Sequence, residues 1–434
     1  MKSWKIVNAK NSDGVIEEIL IHENLIVRDF PQEVSPEIID ASGLTVMPGF
    51  VDLHTHLREP GREDAETVLT GSLAAVAGGF TAISAMPNTL PVADTAGVVE
   101  QVFRLGKSHA LCDVFPIGAV TIGQKGSHLA ELSAMNQSEA QVRIFSDDGH
   151  CVADPLVMRR ALEYVKTFDG VIAQHAQDPR LTENAQMNEG AVSARLGLKG
   201  WPAVAEEAII ARDVLLAEHV DSRLHICHLT TAGGVEIIRR AKERGIKVTA
   251  EVTPHHLLLT DHSAESYDPV FKVNPPLRSE EDVLALRQGL ADGTIDIIAT
   301  DHAPHPNEAK DCEWSAAAFG MVGLETAFSI GYLTMVQSGL MSVKELVERM
   351  SGAPARIGKY AGHGSITIGA PANLVLIDLE SSWVVERHLL HSKSKNTPFQ
   401  GMELPAVVMK TFHNGALVYN RAHDKKQVRD GGKN

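Results

Sequence analysis

Cysteine is scarce. The four present in 434 residues, Cys112, Cys151, Cys227 and Cys312, are widely scattered and form no CxxC pair. No disulfide framework is expected, and the chain reads as a protein of a reducing, cytoplasmic compartment. Long apolar runs are missing as well. Nothing approaches the ~18 residues of a membrane span, and the opening MKSWKIVNAKNSDGV has no apolar core of signal-peptide length. Basic charge is also short: 40 Lys and Arg against 55 Asp and Glu give a net charge of −15. That balance argues against nucleic acid as a partner, because phosphate contacts need concentrated Lys and Arg. It leaves small anionic substrates open, since those are read by local charge. The remaining composition, 44% hydrophobic and 22% charged, suits an ordinary globular protein with ample core.

The first forty-odd residues read as short strands with turns: WKIVNA, VIEEILI, LIVRDF, then GLTVMPGF. The C-terminal part returns to this texture in ANLVLIDLE and AVVMKTFHNGALVYN, where HNG separates two alternating apolar runs. The two ends are therefore expected to pair into one small β domain, 1–47 with 365–434. Between them, strand-like runs alternate with helical segments: GFVDLH, FTAISAM, CDVFPIGAV, VRIFSD, GVIAQHA, RLHICHL, IKVTAEV and IDIIATD. One intervening segment, AVAEEAIIARDVLLAEH, places Val204, Ala208, Ala211 and Leu215 on one apolar stripe of period near 3.6. Eight such runs over 48–364 predict an α/β fold, a (β/α)8 TIM-type barrel. A doubly wound open sheet is the competitor, weakened because no GxGxxG follows the first strand.

Polar residues collect at one end of these runs. In PGFVDLHTHLREPG, residues 48 to 61, strand alternation points His54 and His56 the same way, with Arg58 continuing the face or lying on the loop beyond. The other run ends bring Asn88 in AMPNT, Asp147 and Asp148, His175, His228 and Asp301. Barrel enzymes build their sites at these C-terminal strand ends. A single member, such as His228 in ICHLTT, is better read as a hydrogen-bonded structural histidine. The set together reads as a metal site. Nitrogen and carboxylate donors without thiolate suit Zn2+, with Mn2+, Co2+ or Fe2+ able to replace it. Five or six ligands exceed one tetrahedral site, so two ions sharing a carboxylate are expected. Strand parity turns Cys227 to the other face, as packing. His255 and His256 are expected to shape the rim, and ENAQMNEGAVSARLGLKGW to form a lightly patterned covering loop.

These motifs, with FSDDG, MNEG, EVTPHHL, VNPPLRS, TDHAPH, FGMVGLET and NTPFQG, run nearly end to end. The chain resembles the bacterial class I dihydroorotases of the amidohydrolase superfamily. The resemblance implies His54 and His56 at a first metal, His175 and His228 at a second, and Asp148 bridging them; spacing alone leaves Asp147 open. It makes Asp301 both a ligand of the first metal and the catalytic proton carrier. It assigns Arg58, Asn88 and His305 to the substrate carboxylate, and Asn274 with the backbone of Phe319 and Gly320 to the pyrimidine ring. Hydantoinases and allantoinases bridge their metals with a carboxylated lysine on strand four, and VRIFSDDG has no lysine. The implied reaction is reversible closure of N-carbamoyl-L-aspartate to L-dihydroorotate and water, in pyrimidine synthesis, with two Zn2+ per subunit. A homodimer and a complex with aspartate transcarbamoylase are the implied assemblies. The alternatives are another cyclic amidohydrolase and an inactive scaffold for the transcarbamoylase.

Overall fold

All eight apolar runs form strands in the computed structural model, which describes residues 2–424. They are β1 (Phe50–Thr55), β2 (Phe80–Ala85), β3 (Asp113–Pro116) and β4 (Ile144–Ser146). The second half contributes β5 (Val171–Gln174), β6 (Arg223–Ile226), β7 (Val248–Val252) and β8 (Ile297–Ile298). Every residue of β1, β2, β4 and β5 is buried. Strands covered on both faces read as continuous apolar runs rather than alternating ones, which is why these were legible.

Strands β1, β2 and β3 pair in parallel, and β4 to β8 form a second parallel sheet in chain order. Isolated parallel bridges link the two sheets at both edges, Gly118 with Phe145 and Thr55 with His302. The helices that follow the strands start on capping side chains. Asp154 accepts from Leu156 N (2.7 Å) ahead of Pro155–Lys166, and Ser279 closes a capping box ahead of Glu280–Asp292.

The helix over Val204–Val220 forms, but the expected apolar stripe is not its inner face. Val204 and Leu215 are 52% and 58% exposed, while Ala205, Ile209, Ile210, Val214 and Ala217 are buried. The inner face also carries Glu206 and Asp213, fully engaged by the neighbouring structure. Glu206 accepts from Thr230 N (2.8 Å) and pairs with Arg278 (3.4 Å). Two buried carboxylates made the inner face look polar, so an outer row of Val, Ala and Leu matched the period instead.

The segment expected as a covering loop is folded. Met187–Asn188 pairs with Gly200–Trp201, a short helix spans Ala191–Leu196, and buried Arg278 donates to Asn188 Oδ1 (3.0 Å) and Trp201 O (2.8 Å).

Both chain ends contribute to one eight-stranded sheet. Thr45–Pro48 runs antiparallel to Leu374–Val384, and Glu403–His413 turns through Asn414 and Gly415 into Ala416–Asn420. Trp4 seals this sheet, donating Nε1 to Gly415 O at 3.0 Å and meeting Phe412 edge-on. The sheet lies against the helix Val68–Ala77, where Thr411 Oγ1 donates to Val76 O at 2.7 Å. Residues 425–434 fall outside the described residues. No helix among the described residues is long and apolar enough to cross a membrane.

Candidate metal centre

Asp148, two residues past β4's tip, lies among four imidazoles delivered by three other strands. Its Oδ2 is 3.4 Å from His54 Nε2 and 3.3 Å from His56 Nε2. Its Oδ1 is 3.2 Å from both His175 Nδ1 and His228 Nε2. Asp301 joins the first pair only, with Oδ1 3.4 Å from His54 Nε2 and 3.1 Å from His56 Nε2. All six side chains are buried. Asp147 is elsewhere: its Oδ1 accepts from Val120 N (2.8 Å) and Thr121 N (3.0 Å), shaping the turn after β3. Adjacent aspartates thus part, Asp147 to the turn and Asp148 to the histidine cluster.

A cation fits these donors. His54 Nε2 is buried and makes no hydrogen bond, although two carboxylate oxygens lie within 3.4 Å. An orphaned buried nitrogen is costly unless something binds it. Burial alone would raise the carboxyls of Asp148 and Asp301, yet the surrounding imidazoles, His54 foremost, hold both below the usual carboxylate range. The nitrogen and oxygen donors match zinc-like ions. Cys227 is buried against apolar residues, as strand parity predicts, but its Sγ also falls within 4.8 Å of donor atoms of His54 and Glu251.

The imidazoles are oriented from behind. His54 Nδ1 contacts Glu251 Oε1 at 2.5 Å, His56 Nδ1 contacts Asn88 Oδ1 at 2.9 Å, and His175 Nε2 contacts Gln177 Oε1 at 2.6 Å. These second contacts fix which nitrogen faces the centre. Glu251 and Gln177 were missed in the sequence. Glu251 did leave a signal, a lone acid inside the apolar run IKVTAEV, where an unpartnered charge would be costly. Three residues of the centre, Arg58, His228 and Asp301, hold φ of 63°, 30° and 45°, a left-handed backbone rarely adopted outside glycine.

The expected substrate groups surround the same end of the strands. Arg58 lies half-buried on the loop after β1, donating Nε to Pro304 O (3.2 Å) with its Nη2 3.5 Å from His305 Nε2. Among the described residues no carboxylate pairs with this guanidinium. Burial, then the charge of Arg58, pushes the His305 imidazole down to about 3, so it is neutral at physiological pH. Its Nε2 donates to Phe319 O at 2.7 Å. Asn88 serves His56 directly. Asn274 donates Nδ2 to Gln177 Oε1 (3.3 Å), and its buried Oδ1 has no partner. Gly320 N–H is taken by Lys272 O at 3.0 Å. His256 shapes the rim as expected, through Thr253 Oγ1 (2.7 Å) and Pro275 O (3.1 Å). His255 differs, since its buried Nε2 is unpartnered.

Known proteins resemble this chain over most of its length. A family described as Dihydro-orotase-like matches residues 43–233. The dihydroorotase of Streptomyces coelicolor is 62% identical over 419 residues, covering 96% of this chain and 98% of that protein. That of Leifsonia xyli is 64% identical over 379 residues, 87% and 86% of the two chains. Among solved structures, the L-hydantoinase of Arthrobacter aurescens superposes with a TM-score of 0.85 at 26% identity, covering 97% of this chain and 96% of its own. The fold is therefore shared with a hydantoinase, while the sequence is much closer to the dihydroorotases. The chain belongs to the dihydroorotase family.

Proposed function

We propose that this centre holds two divalent ions, zinc being the ion its donors fit, and that the pocket beside it interconverts N-carbamoyl-L-aspartate and L-dihydroorotate. His54, His56 and Asp301 would hold one ion, His175 and His228 the other, with Asp148 between them. The observation that carries this reading is the division of Asp148, one oxygen to each pair of histidines. Bound there, such ions ionise water near neutral pH and polarise an amide carbonyl.

The chain's own residues do the rest. Ring opening adds water across the bond between ring nitrogen and acyl carbon; closure re-forms that bond and expels water. Asp301 is the one carboxylate that faces only the His54 and His56 side, so its oxygen is placed to carry the proton between water and ring nitrogen. Arg58 supplies a fork that matches the substrate carboxylate. His305, neutral beside it, adds no second charge, and its one N–H would reach the carboxylate only by leaving Phe319 O. The buried, unpartnered Oδ1 of Asn274 is an acceptor for a ring N–H.

The two linked parallel sheets are read as a closed (β/α)8 barrel over 48–364, with 1–47 and 365–434 as a composite β domain. A cytoplasmic enzyme, a homodimer and a transcarbamoylase complex belong to the same proposal; sizing the chain alone and with aspartate transcarbamoylase tests the assemblies. A scaffold without activity has no need for the six metal donors, and all six converge here. A hydantoinase would leave the Arg58 guanidinium without a carboxylate to bind.

The test compares L-dihydroorotate with dihydrouracil, which lacks the carboxylate, on the native chain and on Arg58→Lys. The substitution is expected to lower kcat/KM for L-dihydroorotate by about 10- to 100-fold, the worth of a charged bidentate contact, and to leave dihydrouracil nearly unchanged. Equal losses on both substrates would remove Arg58 from carboxylate recognition.

A further inference from the structure

We propose that Glu251 is the positioning residue of this centre, a single carboxylate that orients one ligand at each of the two metal positions. The inference rests on the two-ion reading above. Glu251 lies on β7 and is 1% exposed. Its Oε1 is 2.5 Å from His54 Nδ1 and accepts from the backbone N–H of His228 at 3.2 Å. Its Oε2 is held 3.0 Å from His225 Nε2, and His225 Nδ1 is in turn 2.8 Å from Thr249 Oγ1.

An ionised carboxylate only accepts hydrogen bonds. His54 must therefore carry its proton on Nδ1, which leaves the lone pair of Nε2 facing Asp148 and Asp301. That Nε2 is the buried atom without a hydrogen bond. On the second side, His228 sits at φ 30°, which the Glu251 contact to its N–H helps to hold. His54 and His228 belong to different strands and to different proposed metal positions; Asp148 meets both on the donor side, and Glu251 meets both from behind, at His54 Nδ1 and the His228 backbone N–H. His54, Cys227 and Glu251 do have the spacing of a third metal site. A His54 to Glu251 separation of 2.5 Å is a hydrogen bond with no room for an ion between, so the group orients rather than binds.

Glu251→Gln tests this in the full-length chain, because the amide keeps an acceptor at Oε1 and removes the charge. The readout is Zn2+ affinity by competition with a chromophoric chelator, alongside the Co2+ absorption spectrum and the melting temperature of metal-free protein. Zn2+ binding is expected to weaken by about 10- to 100-fold at both positions, with an altered Co2+ spectrum. A folded Glu251→Gln that binds Zn2+ within about twofold of the native chain, with only a lower metal-free melting temperature, overturns the proposal and leaves Glu251 a packing residue. Should that variant not fold, His225→Gln, which loosens Glu251 from behind, must lose at least about threefold in affinity, and an unchanged affinity overturns the proposal equally. The native chain is titrated in parallel. If it binds no Zn2+, the two-ion reading fails before Glu251 is in question.

Discussion

At Gly320 the backbone runs at φ +142°, and a Cβ there would fall 2.8 Å from Ala303 Cβ and 2.9 Å from His305 Nε2. Gly320→Ala is therefore expected to cost about 1–3 kcal/mol of stability, through backbone strain and crowding. It should also displace His305 and raise KM for L-dihydroorotate while bound zinc stays constant. Thermal melts, metal analysis and steady-state kinetics check this, and an unchanged melting temperature with an unchanged KM would contradict it. The resemblance marked Gly320 for its backbone; the fold also leaves no room for a side chain there, and its N–H is held by Lys272 O. The convergence of these histidines and aspartates was legible because, taken as a set at one end of the strands, they have few bland explanations. The groups behind them were not. Lys272 and Lys310, for example, are buried because they donate to backbone carbonyls of Trp314, Ala317 and Ala318, and carbonyl partners leave no trace in a sequence.

The helix Val204–Val220 shows how an element's inner face can hide. Asp213, on that face, accepts from Gln174 Nε2 at 2.8 Å and from Arg212 Nε at 2.8 Å, while Arg212 Nη2 reaches Val152 O at 2.8 Å. This network ties the loop beyond Asp148 to β5 just before His175. Burial pushes the Asp213 carboxyl up to about 6, the Arg212 and Gln174 contacts offsetting it only in part. An unfolded aspartate titrates near about 3.9, so the folded state holds the extra proton between those values. The stabilisation from that proton grows as pH falls through about 6 and is complete below about 3.9. The melting temperature of the native chain relative to Asp213→Asn should therefore rise as pH drops from about 7.5 to about 5. A difference that does not change with pH would show that Asp213 is ionised throughout. Periodicity alone ranked this face as polar because it treats a satisfied buried carboxylate as a solvated one.

Across the whole molecule, all eight strands were legible from runs such as FTAISAM and GVIAQHA, and the β texture of the two chain ends from alternating runs such as ANLVLIDLE. The folded insert between β5 and β6 was not legible, because its two-residue strands are too short to show a period and depend on Arg278, about eighty residues later, for their hydrogen bonds. These elements converge on a centre where, on the proposed function, two ions shared by Asp148 would perform the chemistry and Asp301 would carry the proton. The most direct measurement strips the chain of metal with a chelator and follows L-dihydroorotate hydrolysis as Zn2+ is returned, with Asp301→Asn taken through the same titration. The account predicts no turnover without metal, recovery that saturates near two ions per chain, and a loss of about 10²- to 10⁴-fold in the variant at equal zinc content. Turnover that survives complete removal of metal, or an Asp301→Asn chain as fast as the native one, would contradict it.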